Sequence, residues 1–137
     1  MLKTNKITIS ANLDEVEIAL DTISKYLSNN DVSFNVANRI RVALEEVLVN
    51  IALYAYIDKK GNIDIEYGLI DNKTLKVIVI DSGIEFDPLK KDDPNIKDYY
   101  GNNKIGGFGI YMSKQIMDDI IYQRIDNKNI LTLLKNL

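Results

Sequence analysis

Polar and apolar residues alternate over residues 6–11 (KITISA), the period-two signature of a half-buried strand. Asn12 follows as a helix N-cap, with Glu15 three residues on completing a capping-box pattern. Val16, Ile18, Ala19, Leu20, Ile23 and Leu27 then recur at helical spacing, which predicts an amphipathic helix to about residue 28. Beyond an Asn29-Asn30-Asp31 turn, a second helix is predicted over 32–57. It is apolar around much of its circumference, as a helix packed on a sheet should be. Two strands at 62–70 and 74–80, the second rich in β-branched residues, flank an Asp71-Asn72-Lys73 turn.

The period breaks at Asp81. Residues 84–105 carry two X-Pro pairs, Asp87-Pro88 and Asp93-Pro94, amid scattered charge, and a loop of that length within one domain is either a functional lid or disordered. Gly106-Gly107-Phe108-Gly109 then introduces a third helix over 110–117. Strands near 120–125 and 130–134, joined through Asp126-Asn127-Lys128, close the chain. The order β-α-α-β-β-lid-α-β-β predicts a single α+β domain over 1–137, a two-layer sandwich with helices on one face of a mixed, mostly antiparallel sheet.

Composition narrows the chemistry. With 46% hydrophobic and 27% charged residues the chain is a globular domain rather than a disordered one. It has no Cys and no His, which excludes disulfides, thiol nucleophiles, histidine metal sites and imidazole bases. Proton transfer must therefore use a carboxylate, Lys or Tyr. Seventeen Lys and Arg stand against 20 Asp and Glu, a net charge of −3, and no basic run exceeds the pairs Lys59-Lys60 and Lys90-Lys91. Direct nucleic-acid binding is not expected. Neither a membrane span nor an apolar leader is visible, so a cytoplasmic location is expected.

Three places could carry chemistry. Glycines at 106, 107 and 109 precede a helix, where they allow close backbone approach and the free N–H groups favour an anion. The same cluster also suits a tight loop-to-helix turn, and no Gly-Lys-Ser/Thr follows to make it a P-loop. Glu46, Asn50 and Tyr54 fall at i, i+4 and i+8 of the second helix and so share one side. Polar groups within so apolar a segment suit either a wet cleft holding a cation and a phosphate or a solvent-exposed edge, and adjacent Glu45 is read as surface charge. Asp81-Ser82-Gly83 ends a hydrophobic strand, where Asp can accept from an amine such as that of adenine and Gly83 leaves room for a flat ring. Asp and Gly equally suit a plain turn.

The order and spacing of these signals are more specific than any one of them. EEVLVNIALYAY, VIVIDSGIEFDP and GGFGIYMSKQIMDDIIYQ closely resemble the three nucleotide-binding boxes of the GHKL ATPase superfamily. The short length, the F-D-P after the first glycine box, the M-D-x-x-x-Y after the second and the closing N-x-L-x-L-x-K resemble its anti-sigma factor serine/threonine kinases. The likeness covers residues 5–135. It implies ATP and Mg²⁺, with residues 84–105 as the ATP lid, Glu46 as the catalytic carboxylate and Asn50 as the residue holding Mg²⁺ against the phosphates. Asp81 matches the adenine-reading aspartate and Gly83 the glycine that admits the base. Gly107, Phe108 and Gly109 match the second glycine box, and Asn129 falls where relatives often place Thr near the adenine. The resemblance further implies a homodimer that phosphorylates a STAS-domain anti-anti-sigma protein and binds a sigma factor. Two departures stand out: Tyr54 replaces a common His, and residues 84–105 contain no Arg, leaving Lys104 as the nearest cation. A nucleotide-gated protein-binding module is the alternative.

Overall fold

The computed structural model describes residues 4–57, 59–90 and 110–137. Asn12 opens the helical layer: its Oδ1 accepts from the Glu15 N–H at 2.9 Å. The Glu15 carboxylate accepts from the Asn12 side-chain amide at 3.4 Å and reaches back past the cap to the Ser10 N–H at 2.9 Å, tying the helix to the last residue of β1 (Asn5–Ser10). Helix α1 (Leu13–Asn29) buries Val16, Ala19, Leu20, Ile23 and Leu27, the stripe that the spacing predicts. Helix α2 (Phe34–Tyr54) begins two residues later than expected, because Ser33 is the residue whose side chain accepts a first-turn amide, that of Val36. It ends three residues before the expected 57, at a cap where the Ala55 N–H bonds the Ile51 carbonyl.

The sheet comprises β1, β2 (Asn62–Ile70), β3 (Thr74–Asp81), β4 (Asp119–Ile125) and β5 (Lys128–Asn136), in the order β1-β2-β3-β5-β4. Every neighbouring pair is antiparallel, so the sheet expected to be mostly antiparallel is antiparallel in all of its described pairings. The reason lies in the connections. Two tight hairpins, β2–β3 and β4–β5, are built on Asp71-Asn72 and Asp126-Asn127. All four residues have positive φ, between 51° and 62°, the conformation of the turns that match strand twist and that Asn and Asp tolerate best. The second turn pairs Ile125 with Lys128, which makes Lys128 the first residue of β5. A short helix α3 (Tyr111–Ile116) and a 3₁₀ turn (Pro88–Lys90) complete the described elements.

Strand β3 alternates strictly, burying Leu75, Val77, Val79 and Asp81 on one face. That face meets Ile40, Ala43, Leu44, Val47 and Leu48 of α2 in one core with Ile63, Ile65, Leu131 and Leu133. The helices therefore stack on a single side of the sheet, and the α+β two-layer architecture is as expected. Asp81 ends the buried apolar row, directly across from Asn129 of β5. A carboxylate thus stands where the row's next hydrophobic side chain would be. No described helix is long and apolar enough to cross a membrane.

Candidate functional site

Between the C-terminal half of α2 and the end of the sheet lies a cavity of about 520 Å³, within the range of small-molecule sites. Val47, Ile51 and Leu53 of α2, Val79 and Leu131 of the sheet, and Ile84, Phe86 and Ile110 supply its apolar walls. Its polar groups are Asn50, Tyr54, Asp81, Tyr122 and Asn129. Asn50 and Tyr54, one helical turn apart, thus both lie on the cavity side, while Glu45 is exposed, as its position predicts.

At the sheet end, Asp81 is 5% exposed and Asn129 7%, so their hydrogen bonds must come from the protein or a ligand. Asp81 Oδ1 accepts from the Gly83 N–H at 2.9 Å and from Asn129 Nδ2 at 3.0 Å. Among the described residues both bonds fall on Oδ1, and Oδ2 is left to a group entering the cavity. Burial pushes the Asp81 carboxyl above its ordinary value, opposed by Asn129, the Gly83 amide and the Arg124 charge. Asn129 spends its second amide hydrogen on the Ile84 carbonyl at 2.7 Å. Its oxygen accepts from the Tyr122 hydroxyl at 2.6 Å, Arg124 Nη1 at 3.2 Å and the Phe86 N–H at 3.3 Å. The start of the 84–105 segment is therefore fastened to the β4–β5 hairpin.

Gly83 is used differently from the expectation that it admits a flat ring. A Cβ on it would meet the Ala55 carbonyl oxygen at 2.3 Å, and the Ile84 N–H bonds that same oxygen at 3.0 Å. The missing side chain lets the turn after β3 close onto the end of α2, and Gly83 is not among the cavity-lining residues. The turn is braced on its other side by Tyr56, whose hydroxyl accepts from the Ser82 N–H at 2.8 Å and donates to the Asn62 carbonyl at 2.6 Å.

At the helix end, Glu46 is half-buried and already engaged. Its Oε1 accepts from the Ser113 N–H at 2.9 Å and its Oε2 from the Met112 N–H at 3.2 Å. These are orphan amides of the first turn of α3, whose own N-cap residue, Ile110, provides no side-chain bond. Glu46 thus caps α3 from a different helix. Ser113, fully buried, brings its hydroxyl to 2.6 Å from the Ala43 carbonyl and 3.1 Å from Glu46 Oε1, two acceptors competing for one proton.

Asn50, Asp81 and Asn129 therefore line one cavity, the first from a helix and the other two from paired strands, while Glu46 lies one helical turn before Asn50 and is not among the lining residues. Lys104, Gly107, Phe108 and Gly109 lie outside the described residues, as does most of the 84–105 segment. Sequence reasoning missed Tyr122, Arg124 and Ser113. Tyr122 and Arg124 sit two apart on one strand and so share a face, and Arg124 is one of only three arginines in the chain. Ser113 stands between Ile110 and Ile116 at helical spacing, a small polar residue in an apolar stripe.

The residues present fit a nucleotide with its magnesium. The Asp81 oxygen that has no partner among the described residues suits an amine donor on a ring lying between apolar walls. The described residues contain no group of three or more acidic side chains able to hold a metal alone. Asn50 with Glu46 offers a few hard oxygens at most, which suits Mg²⁺ because it retains waters and takes phosphate oxygens from its ligand.

Residues 9–135 match the model of the histidine kinase-like ATPase domain, and the chain belongs to that family. Among curated proteins it is similar to the serine-protein kinase RsbW of Bacillus subtilis (strain 168), 27% identical over 131 residues that make up 91% of this chain and 79% of the relative. The serine-protein kinase RsbW of Bacillus velezensis is likewise 27% identical, over 84% of this chain and 74% of its own. Among solved structures, the RsbU and RsbW domains of a Mycobacterium tuberculosis protein match with a TM-score of 0.69 at 16% identity, a likeness of fold. That alignment covers 97% of this chain, which spans only 32% of the longer mycobacterial one.

Proposed function

We propose that this protein is an ATP- and Mg²⁺-dependent serine/threonine kinase of the anti-sigma type, acting on a hydroxyl of a STAS-domain antagonist protein in the cytoplasm. The observation that carries this reading is the cavity that Asn50 lines from α2 and that presents the buried Asp81, with Glu46 one helical turn before Asn50. Similarity to serine-protein kinases over most of their length supports it.

In this reading Asp81 Oδ2 accepts from the purine amine while Ile51, Val79 and Leu131 face the ring. Asn50, with Glu46 beside it, is the residue that would hold Mg²⁺, which supplies charge neutralisation at the phosphates when bound. Glu46 takes the proton of the acceptor hydroxyl as that oxygen bonds the γ-phosphorus and ADP leaves. The missing histidine is no obstacle, because phosphoryl transfer asks the protein mainly for positioning and charge stabilisation. Gly107, Phe108 and Gly109, with Lys104, are assigned to the phosphate side by their place in the second glycine box.

The test is transfer of label from γ-labelled ATP to a STAS-domain protein bearing a serine acceptor. Transfer that disappears in Glu46→Gln while ATP still binds supports the kinase. A second reading has a specific observation behind it: both Glu46 oxygens already accept α3 amides, so neither is idle. On that reading the protein is a nucleotide-gated binding module for a sigma factor or antagonist, and ATP binds without label transfer.

A further inference from the structure

Arg124 does not line the cavity, yet it grips both groups that grip Asp81. One of its nitrogens, Nη1, donates to the Gly83 carbonyl at 3.0 Å and to Asn129 Oδ1 at 3.2 Å. Gly83 and Asn129 are the two residues whose N–H groups bond Asp81 Oδ1. The result is a closed ring in which a single cationic nitrogen holds the acceptor side of two groups and Asp81 holds their donor side. Bonds linked in this way polarise one another, and a charged member strengthens those beside it. Both amide donors are thereby committed to Oδ1, so Oδ2 remains the oxygen that meets a ligand.

We propose that Arg124 is a positioning residue for base selection: acting through Gly83 and Asn129, it aims Asp81 Oδ2 at the exocyclic amine of a 6-aminopurine. This rests on the reading of Asp81 as the group that receives the base. A 6-oxopurine presents a carbonyl at that position, which cannot donate to a carboxylate, so the device favours adenine over guanine. Residues 122 and 124 share a face of β4, and the Tyr122 hydroxyl reinforces the ring at Asn129 Oδ1, 2.6 Å away.

The experiment is a titration of ATP and of GTP, each with Mg²⁺, into the whole wild-type chain and into Arg124→Met, Arg124→Lys and Asp81→Asn, with thermal melts alongside. Arg124→Met keeps the aliphatic stem and removes the donors. It is expected to weaken ATP by about tenfold while GTP affinity holds, so that the ATP-to-GTP preference collapses. Arg124→Lys should restore the preference, because one nitrogen makes both bonds and an ammonium can occupy its place. An unchanged preference in Arg124→Met overturns the inference, whether both nucleotides weaken together or neither does. If preference collapses in Asp81→Asn but survives in Arg124→Met, the inference alone fails. If Asp81→Asn also keeps wild-type preference, or wild type binds neither nucleotide, the assignment of Asp81 to the base fails first. Should Arg124→Met not fold, Arg124→Leu, which also lacks a donor, is titrated in its place under the same criterion.

Discussion

The polar cluster in the wall of the cavity and the one around Glu46, a helical turn before the cavity-lining Asn50, are built by opposite means. At the sheet end, Asp81 and Asn129 face each other in register across β3 and β5, and the partners of Asp81 Oδ1 lie at or just past the ends of those strands. At the helix end, Glu46 reaches from α2 to amides of α3 that lie 66 and 67 residues further along the chain. Register fixes the first cluster, so its geometry is as firm as the ladder beneath it. The second is a side chain bridging two helices, and its geometry depends on how α3 sits against α2. A pocket made this way has one end defined by the fold and another set by the docking of a six-residue helix.

The comparison can be broken most sharply at Glu46. Replacing it with Gln retains an oxygen for the α3 amides but removes the base. Label transfer to a STAS-domain serine should drop by about a hundredfold or more, with ATP affinity changing far less. Transfer at the wild-type rate would falsify the assignment of Glu46.

Asp81→Asn probes the other end. An amide there still accepts from Gly83 and Asn129 through its oxygen, but its NH2 then stands where Oδ2 was and meets the base amine donor to donor. ATP affinity measured calorimetrically is expected to fall by roughly ten- to a hundredfold. Stability should move the other way. The native carboxyl is pushed upward by burial, so its contribution is fully present below the ordinary value of 3.8 and is lost as pH rises through the higher native one. Wild type should therefore lose stability across that acid window relative to Asp81→Asn. Melts showing the two proteins parallel from pH 3 (about one unit below the carboxylate range) to neutrality would contradict a raised native value.

Gly83→Ala tests the seam between the ends. A methyl group would sit 2.3 Å from the Ala55 oxygen, backbone against backbone, so a loss of about 1–3 kcal/mol is expected in urea melts. Ser113→Ala leaves the Ala43 carbonyl its helical bonds but removes a buried donor from Glu46. A cost of about 1 kcal/mol should appear, together with slower label transfer at unchanged ATP affinity. The control with the smallest effect is Arg41→Met on the α1–α2 surface. Arg41 pairs with Glu17 and Asp21 at 2.9 Å, but both carboxylates are largely exposed, so less than about 1 kcal/mol should be lost and nucleotide binding kept.

Much of this was legible in the chain because local chemistry and tertiary need agree. The α1 stripe, the Asn12 cap and the β-branched run of β3 each point to one structure at one period. The Asp126-Asn127 turn was legible as a turn, but its extent was not, since only the register of Ile125 with Lys128 shows where β5 begins. Glu46, Asn50 and Asp81 stood out as polar residues in apolar surroundings. Ser113 and Arg124 did not, because nothing local distinguishes a buried hydroxyl from a solvent-facing one, or a ring-closing guanidinium from a surface charge.

The sequence by itself determined the elements, the single-sided packing of helices on a sheet and the identity of the polar residues near the cavity. Those follow from periodicity and from the cost of burying an unpaired polar group, both of which operate along the chain. Only the tertiary structure decided that every strand pair is antiparallel, that the space at Gly83 is filled by Ala55, and that Glu46 caps α3. It also decided that Arg124 holds Asp81 through two intermediaries. Such facts depend on distances between segments tens of residues apart, which periodicity does not encode and strand register and helix docking do.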